Sequence, residues 1–214
     1  MKKKESIVVF SAHSDDFVLG AGGTIAKYVQ EGKKVTAVIF SQGEKSHPWL
    51  KAGVVKKVRC KEAVEAAKLL GCKTVIFDHH DSKVAEDYIK LGTEQQLLRW
   101  LEKEKPVKLF THSGEDIHPD HKAVYRITLD VVGRIKTMPE VYIYSVWNPA
   151  PLETMFPTFY VPIRKYFGMK LQALRIFRSQ QIHISYPVLL LIIRNLVDGM
   201  KKGTTFAEKF YRIK

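Results

Sequence analysis

The chain has 214 residues, with 35 Lys plus Arg against 22 Asp plus Glu and a formal net charge of +13. That length suits one domain with a sizeable core, and 45% hydrophobic with 27% charged residues excludes disorder. Two cysteines, Cys60 and Cys72, exclude a disulfide framework and a four-cysteine zinc site, and read as reduced thiols.

In chain order, residues 7–10 read as a buried strand, 20–30 as a helix stopped at Gly32, and 35–40 as a second strand. An amphipathic helix over 54–70 ends at Gly71, and a strand follows over 74–77. A helix over 95–104, a strand over 107–111, a helix over 122–134 and a strand over 141–147 continue the alternation. The proline-rich stretch 148–157 reads as a loop, before a short strand near 159–161 and helices over 163–181 and 187–201. The pattern predicts an α/β fold: a Rossmann-like, mostly parallel sheet flanked by helices, with C-terminal helices, in a single domain over 1–214.

Met1–Lys4 is basic, but residues 7–10 are too short an apolar run for a signal sequence, and 188–193 is far below the roughly 20 residues of a membrane span. A cytoplasmic protein without a membrane span is expected. The basic residues are scattered in short groups, which favours a solubilising surface over a nucleic-acid face.

Open parallel sheets bind ligands beyond the carboxyl ends of their strands, which selects loops 11–16, 41–53, 78–85 and 111–121. The first holds Ala12-His13-Ser14-Asp15-Asp16 and the fourth Thr111-His112-Ser113-Gly114-Glu115-Asp116-Ile117-His118-Pro119-Asp120-His121. Imidazole and carboxylate are the ligands of a catalytic Zn²⁺, three from the protein with one position open. His13, one of the paired aspartates and one histidine of the later loop make such a set. The other aspartate is left as general base, and the remaining histidine as oxyanion donor. Taken singly, Asp15 and Asp16 also suit a helix cap, and His118 and His121 a polar surface loop.

These residues resemble the LmbE-like and PIG-L de-N-acetylases, metal-dependent hydrolases with a Rossmann-like sheet. Residues 12–16 followed by Gly20-Ala21-Gly22-Gly23-Thr24-Ile25-Ala26 look like the family's opening motif. Arg59, Glu62, Ala66 and Leu70-Gly71 look like its central helix, and His118-Pro119-Asp120-His121 like its second motif. Ala173-Leu174 with Ser179-Gln180, and Ala207-Glu208-Lys209-Phe210, are similar to its C-terminal signatures.

The resemblance implies His13, Asp16 and His121 as ligands of one zinc, another divalent metal being an alternative. It implies Asp15 as general base, His118 as the group that polarises the amide carbonyl with Asp120 tuning it, and Arg59 and Asp81 as sugar contacts. The implied activity removes an N-acetyl group from an N-acetylglucosamine-type substrate. The alternatives are another amide, such as a thiol-sugar conjugate or a lipid-linked glucosamine, and, in another class, a basic metal-containing nucleic-acid-binding protein. The partner expected is a small amino-sugar substrate, with no nucleic acid, and a homo-oligomer is an option. Ser14 stands where the family usually has proline, Phe17 where it often has glutamate, and Ser82 where it commonly has glycine.

Gly20–Gly23 lacks a full dinucleotide fingerprint and reads as close helix–sheet packing. Among other residues, one of His79, His80 and Asp81 suits a substrate role. Trp49, beside His47 and Pro48, suits sugar stacking or loop anchoring equally. His183 and Tyr186 suit packing. Phe156, Phe159, Tyr160, Tyr166 and Phe167, beside Arg164 and Lys165, read as core or interface before a membrane contact.

Overall fold

The computed structural model describes residues 4–47, 49–147 and 156–214, with backbone alone over 181–187. The elements run β1 (Ser6–Ser11), α1 (Asp16–Gln30), β2 (Lys34–Ser41), α2 (Ala52–Leu70), β3 (Lys73–His79), α3 (Val84–Lys90), α4 (Thr93–Glu104), β4 (Lys108–His112), α5 (Pro119–Arg134), β5 (Glu140–Tyr144), β6 (Thr158–Pro162), α6 (Phe167–Ile176), α7 (Gln181–Lys202) and β7 (Ala207–Arg212). Short 3₁₀ turns occupy Glu44–Ser46 and Arg178–Gln180.

One seven-stranded sheet has the order β3-β2-β1-β4-β5-β7-β6. The first five strands are parallel, while β7 lies antiparallel to both β5 and β6. Side chains alternate across a strand. Ile7 and Val9 therefore enter the cluster shared with Ala63, Leu70 and Phe167, while Val8 and Phe10 enter the opposite one with Leu97, Leu101 and Val124. Burial on both faces explains why β1 reads as an unbroken apolar run.

The α/β expectation holds, with differences at element ends. Helix α1 starts at Asp16 rather than residue 20, because Ser11 Oγ accepts the Phe17 N–H at 3.0 Å and tightens the strand-to-helix turn. The expected helix over 163–181 shortens to α6 plus a 3₁₀ turn, and β5 stops at Tyr144. Helix α3 and strand β7 were not foreseen. The expected loop at 148–157 falls mostly outside the described residues, as do Pro48 and the side chains of His183 and Tyr186.

Helix α1 is broken at Ala21 (φ −142°, ψ 15°). The break frees the N–H groups of Gly23 and Thr24, which donate to Glu208 of β7 at 3.0 and 2.7 Å. Lys170 of α6, also buried, pairs with the same carboxylate at 2.5 Å. Gly20 meets the face of Tyr144, where an added Cβ would lie 2.2 Å from the ring. The glycine run is thus a packing device, as read. Phe159 and Tyr166 pack on the core and Phe167 stacks on Phe206 at 3.8 Å, so that part of the aromatic group is core. Among the described residues no helix is long and apolar enough to cross a membrane.

Candidate functional site

The turn after β1 and the loop between β4 and α5 meet at the carboxyl edge of the sheet. In the first, Ser11 Oγ donates to the His13 carbonyl at 2.6 Å and the His13 N–H donates to Asp16 Oδ2 at 2.8 Å. In the second, Asp116 Oδ1 accepts the His118 N–H at 3.0 Å. His118 is the N-cap of α5, its Nδ1 accepting the Asp120 N–H at 3.2 Å, and Pro119 occupies the first turn, where its missing donor costs nothing. His121 follows inside that turn.

Three imidazoles surround one carboxylate oxygen, two of them from the expected ligand set. Asp16 Oδ2 lies 3.4 Å from His13 Nδ1 and 3.3 Å from His121 Nε2. Each ring turns its other nitrogen to a different carboxylate: His13 Nε2 is 3.3 Å from Asp120 Oδ2, and His121 Nδ1 is 3.0 Å from Asp116 Oδ2. Carboxylate–histidine pairs of this kind orient metal ligands by fixing the tautomer. Tetrahedral ligands about 2.0–2.1 Å from a zinc lie about 3.4 Å apart, which matches both separations at Asp16. Neither His121 nitrogen has an aligned hydrogen bond among the described residues, although the ring is fully buried. Among the described residues, Asp16, His112 and His121 bring three donor atoms within 4.8 Å of one another, as do His13, His118 and His121, and such clustering of imidazole and carboxylate suits a divalent cation.

The electrostatics agree. Burial opposes the charge on His13, but Asp120, Asp16 and Asp81 carry it well above the ordinary histidine value. Burial likewise opposes charge on His121, and Asp16 and Asp116 raise it to about 9. Against its own burial, Asp16 is held well below the carboxylate range by His121 and His112. Protons on these histidines offset the carboxylates where a cation would otherwise do so. His118 goes the other way, lowered by burial and by the charges of His13 and His121.

Asp15 faces α2. Arg59, only 4% exposed, donates from Nη2 to Asp15 Oδ1 at 3.0 Å and from Nη1 to the Gly43 carbonyl at 3.3 Å. Asp81, lowered to about 2 by His13 against its burial, has Oδ1 3.6 Å from His13 Nε2, and its N–H donates to buried Glu44 at 3.1 Å. A cavity of ≈ 280 Å³ opens over this group, lined by His13, Asp15, Asp16, Arg59, Asp81 and His118. That is the scale of a small-molecule site.

All eight residues singled out in the sequence therefore meet within one site. Asp120 differs in detail: its carboxylate faces His13 and accepts the Ser82 and Val84 N–H groups at 2.7 and 3.2 Å, while its backbone serves His118. Ser82 adopts φ 66°, a left-handed conformation that suits the glycine it replaces. Phe17 packs in the core, and Trp49 is 85% exposed and does not line the cavity. Trp147 lines it instead, with Lys45 and Gln180. His79 is tied to Thr93 Oγ1 at 2.7 Å and His80 to Asp87 at 2.8 Å, so Asp81 alone of that trio reaches the cavity.

Three contributors were missed. His112 ends β4, Asp116 lies in the loop between β4 and α5 and Glu44 follows β2, and no local sequence signal assigns a role to any of them. His112 stands 3.4 Å from Asp16 Oδ2, but its Nε2 accepts the Ala12 N–H at 2.9 Å. Its lone pair is thereby spent, and burial lowers it to about 4, so it buttresses the site as a neutral ring.

Among proteins of known sequence, the chain is 26% identical over 191 residues to the "Uncharacterized deacetylase YaiS" of Escherichia coli, covering 83% of this chain and 92% of that protein. It is 28% identical over 224 aligned residues to a 4-oxalmesaconate hydratase of Pseudomonas putida, covering 96% and 85% respectively. The fold matches the crystal structure of the 4-carboxy-2-hydroxymuconate hydratase GalB of Pseudomonas putida with TM-score 0.82 at 23% identity, covering 98% of this chain and 96% of that one. It also matches an N,N'-diacetylchitobiose deacetylase from Pyrococcus horikoshii, with TM-score 0.82 at 24% identity, over 99% and 85%. Residues 8–132, more than half of the chain and including every candidate ligand, match the family described as PIG-L: GlcNAc-PI de-N-acetylase. The chain belongs to the PIG-L (LmbE-like) family.

Proposed function

We propose that the protein is a zinc-dependent de-N-acetylase acting on an N-acetylglucosamine-type substrate. The observation that carries the reading is the convergence of His13 Nδ1 and His121 Nε2 on Asp16 Oδ2, at 3.4 and 3.3 Å, beneath a cavity that Asp15 and His118 also line. His13, Asp16 and His121 would hold the cation. When bound, it supplies Lewis-acid activation of water and of the amide carbonyl.

The remaining steps belong to side chains of this chain. Arg59 occupies Asp15 Oδ1, so the other oxygen of Asp15 takes the proton of the attacking water and returns it to the departing amine. The Asp120 N–H fixes the proton of neutral His118 on Nε2, where it donates to the oxyanion. Asp120 and Asp116 hold the two ligand rings in place. Arg59 and Asp81 border the space for the sugar, and Trp147 offers an aromatic wall.

The partner in this reading is a small amino-sugar derivative, without nucleic acid, and the homo-oligomer remains part of the proposal. The free thiols Cys60 and Cys72 suit the cytoplasm. A second reading, addition of water across an activated C=C bond, is favoured by the hydratase relative.

Elemental analysis paired with acetate release from a panel of N-acetylated sugars tests the proposal. One zinc per chain, and acetate release abolished by Asp15→Ala with zinc retained, is expected. Zinc without acetate release, together with hydration of an unsaturated dicarboxylate, replaces it by the second reading. Failure to bind any divalent metal removes both, and salt-dependent nucleic-acid binding without turnover would then favour the binding-protein class.

A further inference from the structure

Helix α7 is apolar on two sides. Its inner side packs Val188, Leu191 and Ile192 on the same core cluster that holds α6. Its outer side carries Leu189, Ile193, Leu196, Val197 and Met200, which are 40% to 72% exposed and recur at the spacing of one helix face. A helix apolar all round is ordinarily covered all round, yet among the described residues nothing covers this outer side.

The charges around the stripe have one sign. Arg178 stands just before α7 and Lys201 and Lys202 end it, while Arg164, Lys165 and Arg175 come from α6 and the turn that leads into it. All six are exposed, and among the described residues none is in an ion pair. Between Arg164 and Lys202 the sequence has one acid, Asp198, and it is buried. Lys170 Nζ of α6 reaches Asn195 Oδ1 of α7 at 3.4 Å, and both helices pack on one face of the sheet, so their outer sides share a surface.

We propose that this surface docks the protein on a bilayer containing anionic lipid, with α7 lying along the interface. An apolar helical stripe flanked by Lys and Arg is the pattern of an interfacial helix: the aliphatic side chains enter the acyl boundary and the cations stay with the headgroups. The sign of the charge decides against other occupants. A second copy on the same face would set six unpaired cations against six more. A nucleic acid would meet the cations but gain nothing from five apolar side chains. Gln180, which lines the cavity, directly precedes α7, so docking brings the cavity mouth near the bilayer.

The test is co-sedimentation of the full chain with vesicles of phosphatidylcholine alone and of equal parts phosphatidylcholine and phosphatidylglycerol. Binding to the anionic vesicles alone, weakened by added salt, is expected. Ile193→Gln/Met200→Gln and Arg175→Glu/Lys201→Glu should each bind at least about tenfold more weakly. Their substituted side chains are exposed, so an unchanged thermal midpoint verifies the fold of both variants. No binding, equal binding to neutral vesicles, or undiminished binding by either variant overturns the proposal. Sedimentation velocity supplies the other arm: a wild-type oligomer that Ile193→Gln/Met200→Gln converts to monomers would assign the stripe to a second copy and overturn the bilayer.

Discussion

Arg59 and Asp15 meet in the protein interior, Nη2 to Oδ1 at 3.0 Å, and the second guanidinium arm is anchored on the Gly43 carbonyl at 3.3 Å. An arginine on the solvent side of a helix would not be held on two sides. The pair fixes which oxygen of Asp15 is free to accept a proton. Arg59→Ala should lower kcat by about 10²-fold, the usual cost of misplacing a reacting group, with zinc content unchanged. Arg59→Lys should recover only part, since an ammonium cannot span both acceptors. Steady-state kinetics decide the matter: a raised KM at unchanged kcat would assign Arg59 to the sugar alone.

Gly43 makes that anchoring possible. Its φ of 68° is left-handed, and an added Cβ would lie 2.7 Å from Arg59 Nη1. Gly43→Ala should cost about 1–2 kcal/mol from backbone strain and displace the guanidinium. Urea unfolding would show the loss, and kcat should fall in the same direction as in Arg59→Ala.

Asp116 is the residue behind His121. It is fully buried, with one oxygen 3.0 Å from His121 Nδ1 and the other on the His118 N–H, also at 3.0 Å. Asp116→Asn should weaken zinc binding by about 10- to 100-fold, with activity regained at higher zinc. Competition with a chelator of known affinity measures this, and unaltered zinc affinity would show that His121 needs no such partner.

The Lys170–Glu208 pair lies wholly in the interior. Removing Lys170 leaves Glu208 buried and held only by the Gly23 and Thr24 N–H groups, so Lys170→Met should destabilise the fold by about 3 kcal/mol. Chemical denaturation of Lys170→Met beside Lys170→Met/Glu208→Gln tests this, because the double variant should recover part of the loss.

A pH effect follows from Glu140, whose carboxyl is lowered by Lys108, with Arg212 Nη2 3.1 Å from Oε1. A lowered carboxylate contributes stability above its unfolded value, and that contribution disappears as pH falls through the folded value. Glu140→Gln should therefore lower the thermal midpoint more at pH 7 than at pH 3. Since Glu140 is about one-third exposed, the effect should stay below about 1 kcal/mol. Equal shifts at both pH values would exclude the ionic origin.

The parallel strands and their long helices were legible because apolar runs and helix stops such as Gly32 and Gly71 are local signals. Helix α3 has only seven residues, too few for periodicity to register, and it follows the left-handed Ser82. Strand β7 reads as a polar–apolar mixture because Glu208 and Lys209 interrupt it, and Glu208 points inward to serve a helix rather than outward to water. That residues 12–16 and 118–121 gather at one cavity was legible from their place at strand ends. The second partners were not. Nothing local assigns Asp116 to His121 or turns Asp120 towards His13, a residue 107 positions away. Nor does anything local choose Trp147 over Trp49, since that depends on which loop end faces the cavity.

The break in α1 has a consequence for what counts as the smallest working unit. The turn of helix bearing Asp16 is followed at once by the kink at Ala21, and the amides it frees beyond it are capped by a carboxylate from the last strand. A chain cut before β7 would keep every atom with a lone pair to offer a cation, and would contain the whole stretch by which the family is recognised. It would still lose the cap that holds the helix bent. The metal chemistry proposed for the first 121 residues thus depends on the C-terminus being made, and a shortened chain would carry the family signature without that geometry.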